Sequence, residues 1–104
     1  MSAVVYEVNL EIDAAIEHDY RDWLAAHIDA ILALPGFTAA RLFEQDEPAA
    51  EPGRFRLCVQ YTLVDAAALA TYLAEHAPRM REEGIARFGT RFSATRRVLR
   101  ETTR

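Results

Sequence analysis

The chain has 104 residues, 27% charged and 51% hydrophobic, with a formal net charge of −4 at pH 7. This length predicts one domain over residues 1–104 that buries one core. The negative charge disfavours nucleic-acid or anionic-membrane partners, and the lack of Lys and of Gly-rich phosphate motifs excludes Schiff-base and P-loop chemistry.

The first predicted elements are a strand and a helix. The segment "VVYEVNLEI" (4–12) alternates side chains between two faces, as a half-buried strand does. Asp13 is then predicted to cap a helix, which ends before Pro35 and Gly36 because proline cannot continue it. The apolar stripe of this helix recurs at spacings of three and four: Ile16, Tyr20, Trp23, Leu24, His27, Ile28 and Ile31.

Two strands follow. The segment "FTAARLFEQ" (37–45) alternates weakly, and the Pro-rich loop "DEPAAEPG" (46–53) separates it from "RFRLCVQYTL" (54–63). The second strand is the clearer one, with Phe55, Leu57, Val59, Tyr61 and Leu63 on one face.

A second helical region and a last strand complete the chain. Asp65 is predicted to cap the helix, Pro78 to kink or restart it, and Gly89 to end it. The last strand is "FSATRRVLRE" (92–101). The expected apolar positions of the helical region are Leu69, Tyr72, Leu73, His76, Met80, Ile85 and Phe88.

The order of elements predicts an α+β fold. Strand, helix, strand, strand, helix and strand together form a ferredoxin-like βαββαβ sandwich. Its four-stranded antiparallel sheet has the order 4-1-3-2, and both helices lie on one face.

The opposite sheet face is predicted to be polar but internally neutralised. It is either a solvated face with cross-strand ion pairs, or a homodimer interface that closes two sheets into a barrel. We favour the dimer, because Phe92, Ala94 and Val98 make the last strand more apolar than an exposed edge. The interface candidates are Glu7, Asn9, Glu11, Arg56, Cys58, Gln60 and Arg97.

The segments "YRDWLAAHI" (20–28) and "YLAEHAPRM" (72–80), with the order of elements around them, resemble a known superfamily. It is the dimeric α/β-barrel superfamily that includes antibiotic-biosynthesis-type monooxygenases and, within it, an uncharacterised bacterial domain-of-unknown-function family. The resemblance implies a homodimeric α/β barrel and no established activity. Cofactor-free oxygenases of that superfamily use Asn, Trp and Arg or His around a cleft, whereas Asn9 is predicted to point away from Trp23.

An aromatic cluster is the candidate ligand site. Trp23 could stack on a planar ligand, and His27, the catalytic candidate, could transfer a proton near neutral pH. The other interpretation, which we favour for His27, is that both are core residues, with a neutral His27 bonded to a backbone carbonyl, Tyr6 or Tyr61. The ligand-binding candidates are Tyr20, Trp23, His27, Tyr61, Tyr72 and His76.

The cysteine and histidine residues limit the possible classes of function. The single cysteine, Cys58, predicts a reducing, cytoplasmic location. No His pair has metal-site spacing, and we expect no metal and no cofactor. The first hypothesis is therefore binding, or cofactor-free transformation, of a small apolar or aromatic molecule, and the alternative is a non-catalytic dimeric module. An open cavity that touches both Trp23 and His27 would favour the first.

Overall fold

A four-stranded antiparallel sheet carries three α-helices on one of its faces. The computed structural model describes residues 2–104. Within that range, no helix is both long enough and apolar enough to cross a bilayer. The elements are β1 (Val4–Asp13), α1 (Glu17–Leu32), β2 (Phe37–Glu44), β3 (Arg54–Leu63), α2 (Ala66–Glu75), α3 (Ala77–Phe88) and β4 (Phe92–Arg100).

The sheet order is β2-β3-β1-β4. Read from the other edge, this is the predicted order 4-1-3-2, so the α+β, ferredoxin-like prediction is confirmed. Strand β1 is central and pairs with β3 through Tyr6 and Tyr61, and with β4 through Glu7 and Arg97.

The two faces of the sheet differ as the alternation of β1 and β3 predicts. The helix-covered face carries the core, while the other face carries Glu7 and its neighbours. Side chains directly opposite each other in an antiparallel pair lie on the same face, so the register extends this division to β2 and β4. The buried side chains of β1 and β3 on the covered face are Val4, Tyr6, Leu10, Ile12, Leu57, Val59, Tyr61 and Leu63.

Helix α1 begins later than the sequence predicts. Asp13 accepts a hydrogen bond from the Ala15 amide at 3.1 Å, but it caps a short 3-10 turn over Ala14–Ile16. The backbone of Ile16 is not helical, so α1 starts only at Glu17. The predicted apolar stripe nevertheless faces the sheet, with Tyr20 at its centre.

The second helical region is divided at His76. Asp65 caps α2 by accepting from the Ala68 amide at 2.8 Å, as predicted. Pro78 lies in the first turn of α3, where its missing N–H costs no hydrogen bond, so the helix restarts there. Two expected core positions are wrong, because Leu73 and Ile85 are 38% and 53% exposed.

Helix α3 instead packs through positions four residues apart. Met80, Gly84 and Phe88 are its buried row on the sheet side. The helix ends at Gly89, whose φ of 58° is the positive value that the sequence predicts for a terminator.

Candidate functional site

A cavity of about 260 Å³ lies between α1, α3 and the covered face of the sheet. Its wall includes both Trp23 and His27, together with small and apolar side chains of all the surrounding elements. Of the predicted ligand-binding residues, His76 lies outside the lining. The cavity brings together Tyr20, Trp23, His27, Tyr61 and Tyr72.

Trp23 and His27 form a stacked pair one helical turn apart. Their ring centroids are 4.4 Å apart with an interplanar angle of 20°. The Nδ1 atom of His27 is buried and has no hydrogen-bond partner, and the Glu83 carboxylate is 3.9 Å away. The hydrogen bond that a core histidine would make to a carbonyl, Tyr6 or Tyr61 is therefore not made by this nitrogen. Burial lowers the pKa of His27, so the ring is neutral at pH 7.

Tyrosines form the deep wall of the cavity. Tyr6 lies beside Tyr61 and Tyr72, at centroid distances of 6.3 and 5.8 Å. Burial raises the pKa of Tyr20 and Tyr61, and it raises the pKa of Tyr72 to about 12. These phenols stay protonated at neutral pH, so each hydroxyl can donate a hydrogen bond as well as accept one.

Three further lining residues, which the sequence-based candidates did not include, set the character of the cavity. Arg81 and Arg96 bring two guanidinium groups to the cavity, and the Arg81 Nη2 atom donates to the Tyr6 hydroxyl at 3.0 Å. Gly84 leaves room for Trp23, because a Cβ atom there would lie 3.0 Å from the indole Cη2. For Arg96 a signal did exist, since alternation puts Arg96 and Arg97 on opposite faces of β4.

The opposite sheet face contains a cluster around Glu7, which is only 4% exposed. The Arg97 Nε atom donates to Glu7 Oε2 at 2.5 Å, and Cys58 and Gln60 donate to Oε1 at 3.3 Å each. Arg97 lowers the pKa of Glu7 to about 2, while burial raises the pKa of the Cys58 thiol to about 11. The cluster is therefore a carboxylate neutralised by arginine, with a protonated thiol beside it.

The rest of this face follows the predicted charge pairing. The Arg56 Nε atom donates to Glu11 Oε1 at 2.7 Å. Asn9 lies opposite Cys58, on the face away from Trp23 as predicted, and does not line the cavity.

The residues that make the last strand apolar do not lie on this face. Phe92 and Ala94 pack against the core, and Val98 lies on the same, helix-covered side, so none of the three makes the uncovered face apolar. The uncovered face instead exposes Phe43 on β2 and Leu99 on β4, each 37% exposed. Because apolar and polar residues alternate only weakly in β2, the sequence does not indicate on which face of the sheet Phe43 lies.

Metal-binding side chains do not cluster in the part of the chain that the structure describes. Residues 2–104 contain no group of three or more His, Cys, Asp or Glu side chains arranged to hold a metal ion. What the cavity offers is an aromatic wall, a neutral imidazole, phenolic hydroxyls and two guanidinium groups.

Solved structures with the same fold have low sequence identity to this chain. A conserved protein from Methanosarcina mazei Go1 superposes with a TM-score of 0.71 at 12% identity, over 98% of this chain and 95% of that one. A mutant of SnoaB, a cofactor-independent oxygenase from Streptomyces nogalater, gives 0.66 at 14% identity, over 100% and 95%. A dimeric ferredoxin-like protein of unknown function from Jannaschia sp. CCS1 gives 0.59 at 23% identity, over 91% and 97%.

Comparison with known sequences identifies a family, which is a narrower group than the proteins that share the fold. No curated protein matches the chain significantly. A family profile described as "Domain of unknown function (DUF4286)" matches residues 3–102. This match extends over nearly the whole chain, and the protein therefore belongs to the DUF4286 family.

Proposed function

We propose that the protein binds a small planar apolar or aromatic molecule in the cavity between α1, α3 and the sheet. The observation that carries the proposal is the open cavity that touches both Trp23 and His27. Small-molecule sites are typically concave, mostly apolar and supplied with a few polar groups. The alternative, a module whose aromatics serve only as core, does not account for this volume beside the single Trp.

The size of the cavity limits the ligand. An apolar cavity of about 150 Å³ admits benzene, and this one has about 260 Å³. A ligand of one or two fused rings therefore fits, and a larger one would extend through the opening. Trp23 lines the cavity and supplies the aromatic surface on which a planar ligand would stack.

His27 is the residue that we propose for proton transfer, should the bound molecule be transformed. Burial keeps the imidazole neutral at pH 7, so it can accept a proton. Its buried Nδ1 atom has no partner, whereas a structural histidine is normally held by a hydrogen bond. The fold shared with a cofactor-independent oxygenase is compatible with this role.

Titration with 2-naphthamide tests the binding proposal. We expect saturable binding of one molecule per chain by calorimetry, with quenching of Trp23, the only Trp in the sequence. Because the two-ring probe stacks on the indole, quenching and heat should give the same dissociation constant. A solution of N-acetyltryptophanamide controls for collisional quenching. Absence of saturable heat up to the solubility limit, both with 2-naphthamide and with its anionic analogue 2-naphthoate, and with Trp23 emission unchanged beyond this control, would refute the proposal.

We also propose that the protein is a homodimer in which the uncovered sheet faces pack together, as in the dimeric α/β-barrel superfamily. The face is neutralised within each chain by the Glu7–Arg97 and Glu11–Arg56 pairs, so two copies can approach without net repulsion. Phe43 and Leu99 supply exposed apolar surface on it. A fold neighbour is described as dimeric, which supports the proposal.

Sedimentation at micromolar concentration tests the dimer. We expect twice the chain mass of 11.7 kDa. Phe43→Glu should shift the protein to monomer, because it places a charge on the proposed interface. Leu42→Glu is the matched control, since Leu42 is the adjacent exposed residue on the opposite face of β2 and is 47% exposed. A monomeric wild type, or equal effects of both variants, would contradict this interface.

A further inference from the structure

We infer that the cavity selects a planar ligand that carries a negative charge, of the aromatic carboxylate class, held by Arg81 and Arg96. The inference rests on the proposed binding function and narrows its ligand class. It comes from the two guanidinium groups, which stacking alone would not require.

Arg81 is an exposed residue of α3, but its guanidinium is directed inward. Its Nη2 atom donates to the hydroxyl of Tyr6, a residue of the central strand that is only 3% exposed. An arginine directed only at solvent would not reach a buried phenol. Arg81 is therefore positioned so that the remaining donors of its guanidinium are available at the cavity.

Arg96 reaches the same cavity from β4. It lies opposite Val8 in the β1–β4 pairing, and both residues belong to the lining. The positive charge of Arg96 also partly offsets the rise in the pKa of two tyrosines, Tyr20 in α1 and Tyr72 in α2. Two positively charged side chains, one from α3 and one from β4, therefore face the same cavity.

Neither cation is neutralised by the protein. Among residues 2–104, the ion pairs within 4.0 Å do not involve Arg81 or Arg96, although Arg56 and Arg97 on the other sheet face each have a carboxylate. The described lining of the cavity contains no Asp or Glu. The nearby Glu83, 3.9 Å from His27 Nδ1, is half exposed and lies outside the lining.

An anionic ligand satisfies this arrangement. Guanidinium binds carboxylate through charge-assisted and often bidentate hydrogen bonds. The protonated tyrosines add neutral hydrogen-bond donors, and the neutral His27 adds no charge of its own. A carboxylate at the arginines would leave the attached rings beside Trp23.

A pair of isosteric probes tests the inference. 2-Naphthoate and 2-naphthamide share the same rings and differ in charge, and their dissociation constants are measured by calorimetry at pH 7. We expect naphthoate to bind roughly tenfold or more tightly at low salt, and its advantage to shrink at about 0.5 M salt because the charges are partly exposed. The double variant Arg81→Gln/Arg96→Gln should bring the two probes to equal affinity.

Arg87→Gln is the matched control, since Arg87 is an exposed arginine of α3 outside the lining. It removes one positive charge, as each of the two substitutions in the double variant does, and should keep the preference. Equal binding of both probes to the wild type would overturn the anion selectivity while the binding function stands. Binding of neither probe would overturn both. A preference that survives in the double variant, with circular dichroism unchanged, would overturn the assignment to these two arginines.

Discussion

Replacing Tyr20 by alanine should lower the free energy of unfolding by about 3–5 kcal/mol, the range for large aromatic-to-alanine changes in a core. The Tyr20 side chain is 1% exposed. Its ring lies between three others, with centroid distances of 5.6 Å to Trp23, 5.0 Å to Phe88 and 5.3 Å to Phe92. Because these rings belong to α1, α3 and β4, the substitution removes the contact that joins all three elements.

Tyr20→Phe separates the ring from the hydroxyl. It keeps every ring contact, so we expect it to cost less than about 1 kcal/mol. Urea unfolding followed by Trp23 emission measures both variants, at one protein concentration because association contributes to apparent stability. A loss below about 1.5 kcal/mol for Tyr20→Ala would show that the aromatic cluster is not a main source of stability. A loss of that size would be small compared with the free energy of unfolding of a whole domain, which is typically ~5–15 kcal/mol.

The fold was predictable because its determinants are local. Alternation in β1 and β3 places Tyr6 and Tyr61 on one face and Glu7 on the other without any knowledge of partners. Asp65 and Pro78 mark helix boundaries through backbone chemistry that does not depend on packing. Short connections between such elements then leave few possible topologies.

The candidate site was predictable where its residues lie on elements with an unbroken period. Trp23, His27 and Tyr20 follow from the period of α1, which continues without a break. In α3 the pattern fails at one position, because the helix buries the row Met80, Gly84 and Phe88, and Ile85 lies beside this row and is 53% exposed. Arg81 could not be found by hydropathy, since an arginine turned toward a buried phenol looks like a surface residue in the sequence.

Gly84 was the least predictable position, because a missing side chain gives no hydropathy signal. It occupies the buried row of α3 between Met80 and Phe88, where a larger apolar residue would normally pack. Glycine in a helix interior costs about 1 kcal/mol relative to alanine. Contact with Trp23 explains its presence, since a Cβ at this position would lie 3.0 Å from the indole and 3.3 Å from Phe92. The indole and the open space beside it therefore depend on this glycine.

Gly84→Leu should abolish measurable binding of 2-naphthamide and 2-naphthoate while the protein stays folded. The added side chain must either enter the cavity or displace Trp23, and both outcomes remove the stacking surface. Overpacking of this kind costs about 1–3 kcal/mol, which the higher helix propensity of leucine partly offsets. Calorimetry measures the loss of binding, and circular dichroism with urea unfolding measures the retained fold.

Ala86→Leu is the control for this prediction, because Ala86 is an exposed residue of the same helix outside the lining. It adds a leucine to α3 without entering the cavity, so probe affinity should stay within about twofold of the wild type. Gly84→Ala should fall between the two, since its single methyl group presses on Trp23 but leaves most of the volume free. Unchanged affinity in a folded Gly84→Leu variant would place the probe elsewhere on the protein. If affinity instead falls from Ala86→Leu to Gly84→Ala to Gly84→Leu, the space beside Trp23 is the site. The three variants differ in the volume that they add at position 84.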